Sequence, residues 1–397
     1  MTTVAEAIQL ITAQAKSFGK EKVSIDEAFN RVLAQDVMAD RDYPPFNRAT
    51  MDGYAIQSAD FLEKNRTALQ VLENLFAGGV ATQQVTSGTC IKIMTGAPAP
   101  QGADAIIRVE DTRQEGNKVY FTNTTVRAGQ NIAKQSEDAK KGDILIPQHQ
   151  WIDATVMGGL AVTGYAEVMV ERLPKVAIIS TGNEVVQVGQ AVQPHQIRDS
   201  NTYAIKSFFR HYQIQSPITI LAPDSKTALT EAVQSVLDTN ILVLSGGVSK
   251  GDADYVPEVL QSLGVKQIFH RIQIKPGAPL WFGIMPNGGA VFGLPGNPVS
   301  VQVACRLFIE PYLRSCFSTK LREPIVLPFL SERPRKTKFD EYFPCKIVTE
   351  GTISGLVPLR NNSSGDIAAT LGSDGIALHP YNTDTLTKDT PVHFFFW

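Results

Sequence analysis

Two aspartates that follow a turn of small residues could hold a divalent cation beside a bound anion. The apolar run at residues 241–244 predicts a strand buried on both faces of a parallel sheet, and a turn at residues 245–249 follows it. Such a turn exposes backbone N–H groups that can bind a phosphate or another oxyanion. Asp252 and Asp254 would repel that anion unless a divalent cation lay between the two carboxylates and the anion. The alternative is a tight turn in which these aspartates only cap the next helix.

Other polar residues also follow predicted strands. Glu184 comes after a strand at residues 176–180, and Asp224 comes after a strand at residues 218–221. A proline-rich turn at residues 295–298 follows a third apolar segment. Because ligands of open parallel sheets bind beyond the carboxyl ends of the strands, we expect these loops to converge on one site.

The N-terminal half carries weaker candidates. Asp52 lies in a loop at residues 41–56 whose prolines force an extended entry, and Thr95 lies in a turn that can present a hydroxyl group. The alternative for the first loop is an ordinary surface turn. Asp138 lies in a charged, turn-rich segment and stands out only through the resemblance described below.

The elements that position these residues follow from hydrophobic periodicity. From residue 174 strands alternate with helices, which predicts a three-layer α/β domain with a parallel-rich sheet. Residues 68–126 and 325–397 read as short strands separated by turns, and the second stretch predicts a small β domain. The chain therefore reads as multidomain α/β plus β. The more specific expectations are an opening helix with an apolar stripe, a short helix at residues 26–34, a helix at residues 299–314 and a terminal edge strand at residues 392–397.

Composition sets broad limits on function. At 397 residues the chain is too long for one core, and a net charge of −2 gives no general case for nucleic acid or an anionic membrane as partner. The four cysteines form no C-x-x-C pair, which fits reduced thiols in a cytoplasm. We also expect no signal peptide and no membrane span.

Six ordered motifs resemble those of the MoeA family, the molybdopterin molybdenumtransferases that share a domain type with the eukaryotic protein gephyrin. The motifs are PFNRATMDGYA at residues 45–55, MTGAP at 94–98, STGNE at 180–184, SGGVS at 245–249 with DADY at 252–255, IKPG at 274–277 and GLPGNPVS at 293–300. They occur in the family's order within residues 1–320.

The resemblance implies an elongated homodimer with four domains per subunit. It suggests an N-terminal region at residues 1–173 with a helical linker part and an inserted β-rich domain at about 45–140. A molybdopterin-binding α/β domain at 174–320 and a C-terminal, β-barrel-like domain at 324–397 would follow. It implies that molybdate is inserted into adenylylated molybdopterin, that AMP leaves and that a divalent cation, usually Mg²⁺, assists. A molybdopterin adenylyltransferase would act one step earlier, and molybdoenzymes would accept the product.

The resemblance also implies roles for single residues. The catalytic residues would be Asp52, Thr95, Glu184, Asp224 and Asp254, and the metal ligands would be Asp224, Asp254 and Glu184. The substrate-binding residues would be Asp138, Ser245, Gly246, Gly247, Ser249, Lys275, Pro295, Pro298 and Ser364.

Three segments depart from the family pattern. Ala278 stands where the family commonly has a second lysine near molybdate. Residues 133–139 keep an acidic pair but lack the usual arginines and glycine, and residues 362–365 match a serine-containing oxyanion loop only loosely. These departures predict a molybdate site that is weaker or differently built.

Two other functions fit the same motifs less well. A molybdopterin adenylyltransferase has the same α/β domain but is usually a single domain. A scaffold protein of the gephyrin type would tolerate the loss of Asp52, Glu184, Asp224 and Asp254, all of which are present.

Overall fold

The structure is a computed structural model that describes residues 1–122, 125–248 and 255–397. The chain divides into two units. The first unit comprises Met1–Ala34, His149–Asp153 and Val168–Trp397, and the second comprises Gln35–Gln148 and Ala154–Glu167. The domain boundaries inferred from the sequence remain predictions.

A six-stranded sheet forms the centre of the first unit. Its strands, in spatial order, are Ile218–Ala222, Val176–Thr181, Ile241–Ser245, Ala290–Leu294, Trp281–Ile284 and Lys266–His270. The first four run parallel and the last two antiparallel. The strands Val176–Thr181 and Ile241–Ser245 are buried along their whole length. Their unbroken apolar runs therefore reflect burial on both faces, as expected for central parallel strands.

Helices cover both faces of this sheet, which confirms the three-layer prediction. On one face Ile178 and Val243 pack with apolar residues of the opening helix and of the helices after Ser200 and Asn297. On the other face Ile179 and Leu244 pack against the remaining two helices. The five helices are Val4–Thr12, Asn201–His211, Lys226–Gln234, Val256–Ser262 and the segment beginning with Pro298–Ala304.

The opening helix forms as predicted, although it ends at Thr12. The Thr3 hydroxyl accepts a hydrogen bond from the Glu6 N–H, and the Glu6 carboxylate accepts one from the Thr3 N–H. This capping box satisfies two amides that would otherwise lack partners, and it fixes where the helix begins.

Two helix predictions need correction. The expected helix at residues 26–34 is wrong, because the segment forms only a 3₁₀ turn at Ile25–Glu27. Asn30 has φ 58°, and this left-handed conformation ends any helix. The helix expected at residues 299–314 exists but changes type along its length, from α at Pro298–Ala304 to π at Cys305–Ile309 and α again at Glu310–Cys316. Pro311 has no amide hydrogen, so regular α-helical bonding cannot continue through it.

The C-terminal part of the first unit is a small β structure. In spatial order its strands are Ile274–Lys275, Asp340–Glu350, Gly375–His379, Pro391–Phe396 and Ile325–Pro328, with Ile353–Pro358 also paired to Asp340–Glu350. A bridge between Phe329, which follows Ile325–Pro328, and Leu356 of Ile353–Pro358 closes the sheet into a barrel. A helix, Ile367–Leu371, and a short pair, Arg333–Pro334 with Thr385–Leu386, complete it.

The terminal strand is not an edge strand, which corrects the sequence prediction. Pro391–Phe396 pairs with strands on both sides. Val392 and Phe394 point into the barrel core, where Phe329, Phe343 and Leu356 meet them. The aromatic end of the chain is therefore explained by core packing.

The second unit is β-rich, as predicted. Its six-stranded sheet has the order Ala105–Arg108, Gly53–Ile56, Thr89–Ile93, Ala68–Leu75, Lys118–Phe121 and Thr112–Glu115. Two short pairs and two helices accompany it: Val37–Met38 with Ile144–Ile146, Arg48–Ala49 with Ile132–Ala133, Ala59–Leu62 and Ala154–Val162. Across the described residues of the chain, no helix is both long and apolar enough to cross a bilayer.

Candidate active site

A cavity of about 1020 Å³ lies at the carboxyl ends of the parallel strands of the first unit. It brings together every described site residue predicted for that unit. These residues are Glu184, Asp224, Ser245, Gly246, Gly247, Lys275, Pro295, Pro298 and Ser364. Sequence reasoning thus placed widely separated loops in one cavity. Ser249, Asp252 and Asp254 lie outside the described residues.

Asp224 is held in a fixed position by neighbouring polar groups. Its Oδ1 accepts a hydrogen bond from the Thr181 hydroxyl, and its Oδ2 accepts one from the Asn183 N–H at 3.3 Å. The Asp224 N–H donates in turn to Asn183 Oδ1 at 3.1 Å. Because a carboxylate can accept about four hydrogen bonds, Asp224 keeps acceptor capacity for a cation or a ligand.

Glu184 is exposed and folds back over its own loop. A Cβ at position 182 would lie 3.0 Å from both carboxylate oxygens of Glu184. Gly182 therefore gives this carboxylate room to lie close to the backbone.

The turn after Ile241–Ser245 depends on two glycines. Gly246 has φ +100° and Gly247 has φ +65°, and both are conformations that other residues rarely adopt. A Cβ at Gly246 would lie 2.5 Å from the Thr181 carbonyl oxygen. The Gly246 amide donates to the Leu294 carbonyl at 3.0 Å, so it is not available to a ligand. The anion-binding turn expected from the sequence therefore has one fewer free N–H donor.

Asn201 lines the cavity but was not among the site residues predicted from the sequence. Its Nδ2 donates to Ser245 Oγ at 2.9 Å and to the Gly296 carbonyl at 2.7 Å. Its Oδ1 is buried and has no hydrogen-bond partner within the described part of the chain. The helix start is capped instead by Asp199, whose Oδ1 accepts from the Thr202 N–H at 3.0 Å. Asn201 therefore joins two loops of the cavity and offers an unused acceptor.

The proline-rich loop and the loop around Ser364 are bonded to each other. Asn297 Nδ2 donates to Ser364 Oγ at 2.8 Å, and the Val299 N–H donates to the Ser364 carbonyl at 3.2 Å. The Ser364 hydroxyl accepts in the first bond, so its own proton remains free for a ligand oxygen.

Four charged residues of the barrel and of the strand paired with it line the cavity, and we call them the basic wall: Lys275, Arg333, Lys336 and Glu341. Lys275 Nζ lies 3.6 Å from Glu341 Oε1, and an Arg333 nitrogen lies 3.0 Å from the same oxygen. Lys275 and Glu341 meet because they are direct partners in a parallel strand pair. Sequence reasoning found Lys275 but missed the other three, since the pairing of distant strands leaves no local signal.

Buried neighbours fix the Arg333 guanidinium. It donates to His379 Nδ1 at 3.0 Å and lies 4.0 Å from the centre of the Phe343 ring. His379 Nε2 bonds to the Thr383 carbonyl at 2.9 Å, so this nitrogen carries the proton and Nδ1 accepts. Burial lowers the pKa of His379, which keeps the imidazole neutral.

Two of the three second-unit candidates form a pair. Asp52 Oδ1 accepts hydrogen bonds from the Thr95 N–H and from the Thr95 hydroxyl, each at 2.7 Å. The backbone bond and then the hydroxyl bond lower the pKa of Asp52. Next to Asp52, a Cβ at Gly53 would lie 2.0 Å from the Ile107 carbonyl oxygen. Asp138 is exposed, and its amide donates to the Tyr43 carbonyl at 2.9 Å.

The described carboxylates can supply part of a magnesium site. Outside residues 123–124 and 249–254, no group of three His, Cys, Asp or Glu side chains is arranged to hold a metal ion. Glu184 and Asp224 nevertheless line the same cavity and are hard oxygen donors. Mg²⁺ commonly takes only one or two carboxylates and completes its shell with water and substrate phosphates, so this donor chemistry fits Mg²⁺.

Two family descriptions match the chain and together cover most of it. Residues 2–164 match "MoeA N-terminal region (domain I and II)", and residues 177–315 match "Probable molybdopterin binding domain".

Full-length relatives agree with these matches. A molybdopterin molybdenumtransferase of a Synechocystis strain is 30% identical over 402 residues, covering 100% of both chains. One from Staphylococcus epidermidis is 30% identical, covering 96% of this chain and 92% of its own. The crystal structure of a molybdopterin biosynthesis MoeA protein from Pyrococcus horikoshii superposes with a TM-score of 0.85 at 28% identity, with 100% of both chains covered. The chain therefore belongs to the MoeA family, the molybdopterin molybdenumtransferases of molybdenum cofactor biosynthesis.

Proposed function

We propose that this chain inserts molybdate into adenylylated molybdopterin in the first-unit cavity, with release of AMP and formation of molybdenum cofactor. The observation that carries the proposal is the cavity itself. It combines two carboxylates, Glu184 and Asp224, with the basic wall at the carboxyl ends of parallel strands. The scissile phosphate and the incoming oxyanion are both negative, so such a site needs positive charge. The basic wall supplies part of it directly, and the two carboxylates can hold a metal cation that supplies the rest.

We assign cation binding to the acidic residues of the cavity and anion binding to the basic ones. Glu184 and Asp224 would hold Mg²⁺, which when bound neutralises phosphate charge and improves the leaving phosphate. Lys275 in the basic wall attracts molybdate, a tetrahedral dianion. The free proton of Ser364 and the unused acceptor of Asn201 can orient bound oxygens and N–H groups. Asp254 and Ser249 keep the roles that the family resemblance implies for them.

The second unit contributes through the Asp52–Thr95 pair, and we also assign Asp138 to substrate binding. These residues belong to a separate unit of the chain. Family resemblance supports a homodimer in which this pair completes the cavity of the partner subunit. It also supports a cytoplasmic enzyme that takes its substrate from an adenylyltransferase and passes its product to molybdoenzymes.

The direct test supplies adenylylated molybdopterin, molybdate and Mg²⁺ to the purified chain. We expect AMP release together with a product that activates a cofactor-free molybdoenzyme, and neither without molybdate. The Asp224→Ala variant should fail in both assays while remaining folded. If the chain consumed ATP and released pyrophosphate instead, it would be an adenylyltransferase. If it retained molybdopterin without turnover, it would be a scaffold.

A further inference from the structure

Arg333 is the buried cation of the basic wall. Its side chain is 10% exposed, and its guanidinium is bonded to Glu341 and His379 and stacked on Phe343. Its charge contributes to the electrostatic potential in the cavity, but the guanidinium itself is buried and held by these partners.

Lys275 is partly engaged. Its side chain is 49% exposed, and its ammonium shares the Glu341 oxygen that Arg333 also contacts. Glu341 is 8% exposed and so offsets one of these two positive charges from a buried position. In this position part of the Lys275 charge is offset by the carboxylate.

Lys336 is the free cation of the wall. It lines the cavity and is exposed, and no described residue forms an ion pair or hydrogen bond with it. With Lys336 included, three cations and one carboxylate leave the wall with two positive charges. That charge matches a dianion.

We propose that Lys336 binds the oxyanion substrate and supplies the second positive charge that Ala278 does not provide. The inference rests on the proposed function and names a residue that determines affinity for molybdate. Ala278 lines the same cavity but contributes only a methyl group. Arg360 is exposed and is not part of the lining, although both of its neighbours are. Lys250 lies outside the described residues.

The test compares Lys336→Gln with Lys338→Gln in the full-length chain. Lys338 is an exposed lysine two residues away that does not line the cavity. Lys336→Gln should raise the molybdate concentration for half-maximal cofactor formation about fivefold. This is the change in affinity that corresponds to the loss of one exposed ion pair with a dianion. The concentration of adenylylated molybdopterin for half-maximal rate should not change. Lys338→Gln should behave as wild type.

A second pair of measurements separates this inference from the proposed function. Equilibrium dialysis with molybdate, AMP and Mg²⁺ measures binding without turnover, and Lys336→Gln should retain less molybdate than wild type. Adding Ala278→Lys to Lys336→Gln should restore most of the lost affinity, because a lysine is returned to the same cavity. Unchanged retention in Lys336→Gln would overturn the role of Lys336 while leaving the transferase activity intact. Absence of cofactor formation in wild type would instead overturn the proposed function, and the dialysis would still decide the role of Lys336.

Discussion

Asp224 and its partners show how one carboxylate can be both fixed in place and available. The Thr181 hydroxyl and the Asn183 amide hold it from one side, and the cavity lies on the other. An asparagine has the same shape and can still accept from the Asn183 amide, with its NH2 group donating to the Thr181 hydroxyl, but it lacks the negative charge.

We therefore expect Asp224→Asn to raise the Mg²⁺ concentration for half-maximal activity about tenfold, because losing one charged ligand weakens Mg²⁺ binding. The measurement is a magnesium titration of AMP release, with circular dichroism to verify folding. Asp238→Asn is the matched control, since Asp238 is exposed and pairs with Lys175 instead of lining the cavity. An unchanged magnesium requirement in Asp224→Asn would reduce Asp224 to a structural residue of the loop.

The Asp52–Thr95 pair makes a prediction about pH. Hydrogen bonds to the ionised carboxylate lower the pKa of Asp52 below its ordinary value of 3.8. The bonds therefore stabilise the folded loop fully at pH values above the ordinary pKa of 3.8. This stabilisation is lost as the pH falls through the lowered pKa.

Thr95→Val removes the hydroxyl bond but keeps the backbone bond, so the pKa of Asp52 should rise part of the way towards 3.8. Carboxyl NMR titration measures it directly. Thr82→Val is the control, because the Thr82 hydroxyl bonds to Glu73 and its loss should raise the pKa of Glu73 alone. A pKa for Asp52 that did not move would show that the hydroxyl bond is absent in solution.

At the scale of single elements, the turn after Ile241–Ser245 is tightly constrained. Gly246→Ala should lower Tm by about 5 °C, since it combines a left-handed backbone with a contact of 2.5 Å to a carbonyl oxygen. Gly189→Ala is the control, because a Cβ there meets nothing within 4 Å. Scanning calorimetry of both variants measures the difference. Equal Tm values for the two variants would mean that the turn relaxes at little cost.

The elements also show what the sequence could reveal. Short apolar runs bounded by turn residues, such as residues 241–244, favour a strand covered on both faces, so the α/β layers and the convergence of their loops were predictable. The helix expected at residues 26–34 failed because a single residue, Asn30, adopts a left-handed conformation that its type permits but does not require.

The basic wall was unpredictable for a different reason. Glu341 meets Lys275 in the cavity because of a two-residue ladder between strands far apart in the chain, and Arg333 comes from the separate short pair with Thr385–Leu386. Neither their residue types nor their spacing marks them. Their role became visible only once the barrel strands were paired.

At the scale of the whole molecule, the proposed dimer predicts complementation. Asp52→Ala affects the second unit and Asp224→Ala the first, so a mixed dimer would contain one cleft with both native residues. Random mixing should restore roughly a quarter of wild-type activity, because half of the dimers are mixed and each has one intact cleft. The assay is AMP release after subunit exchange, with exchange verified by mass spectrometry of differently tagged chains. Activity no higher than that of either parent, despite exchange, would place each complete site within one subunit.

The two-residue ladder between Ile274–Lys275 and Asp340–Glu341 has an evolutionary consequence. Lys275 precedes the C-terminal barrel in sequence, but its partner Glu341 belongs to the barrel. A recombination event near residue 320 would therefore combine a lysine from one parent with a carboxylate and arginine from another. Chimeric enzymes joined at that point should inherit pterin recognition from the first parent and a mismatched anion affinity from both. Exchange of the barrel between genes of this family would preserve anion binding only when Ile274–Lys275 and Asp340–Glu341 come from the same parent or already match in sequence.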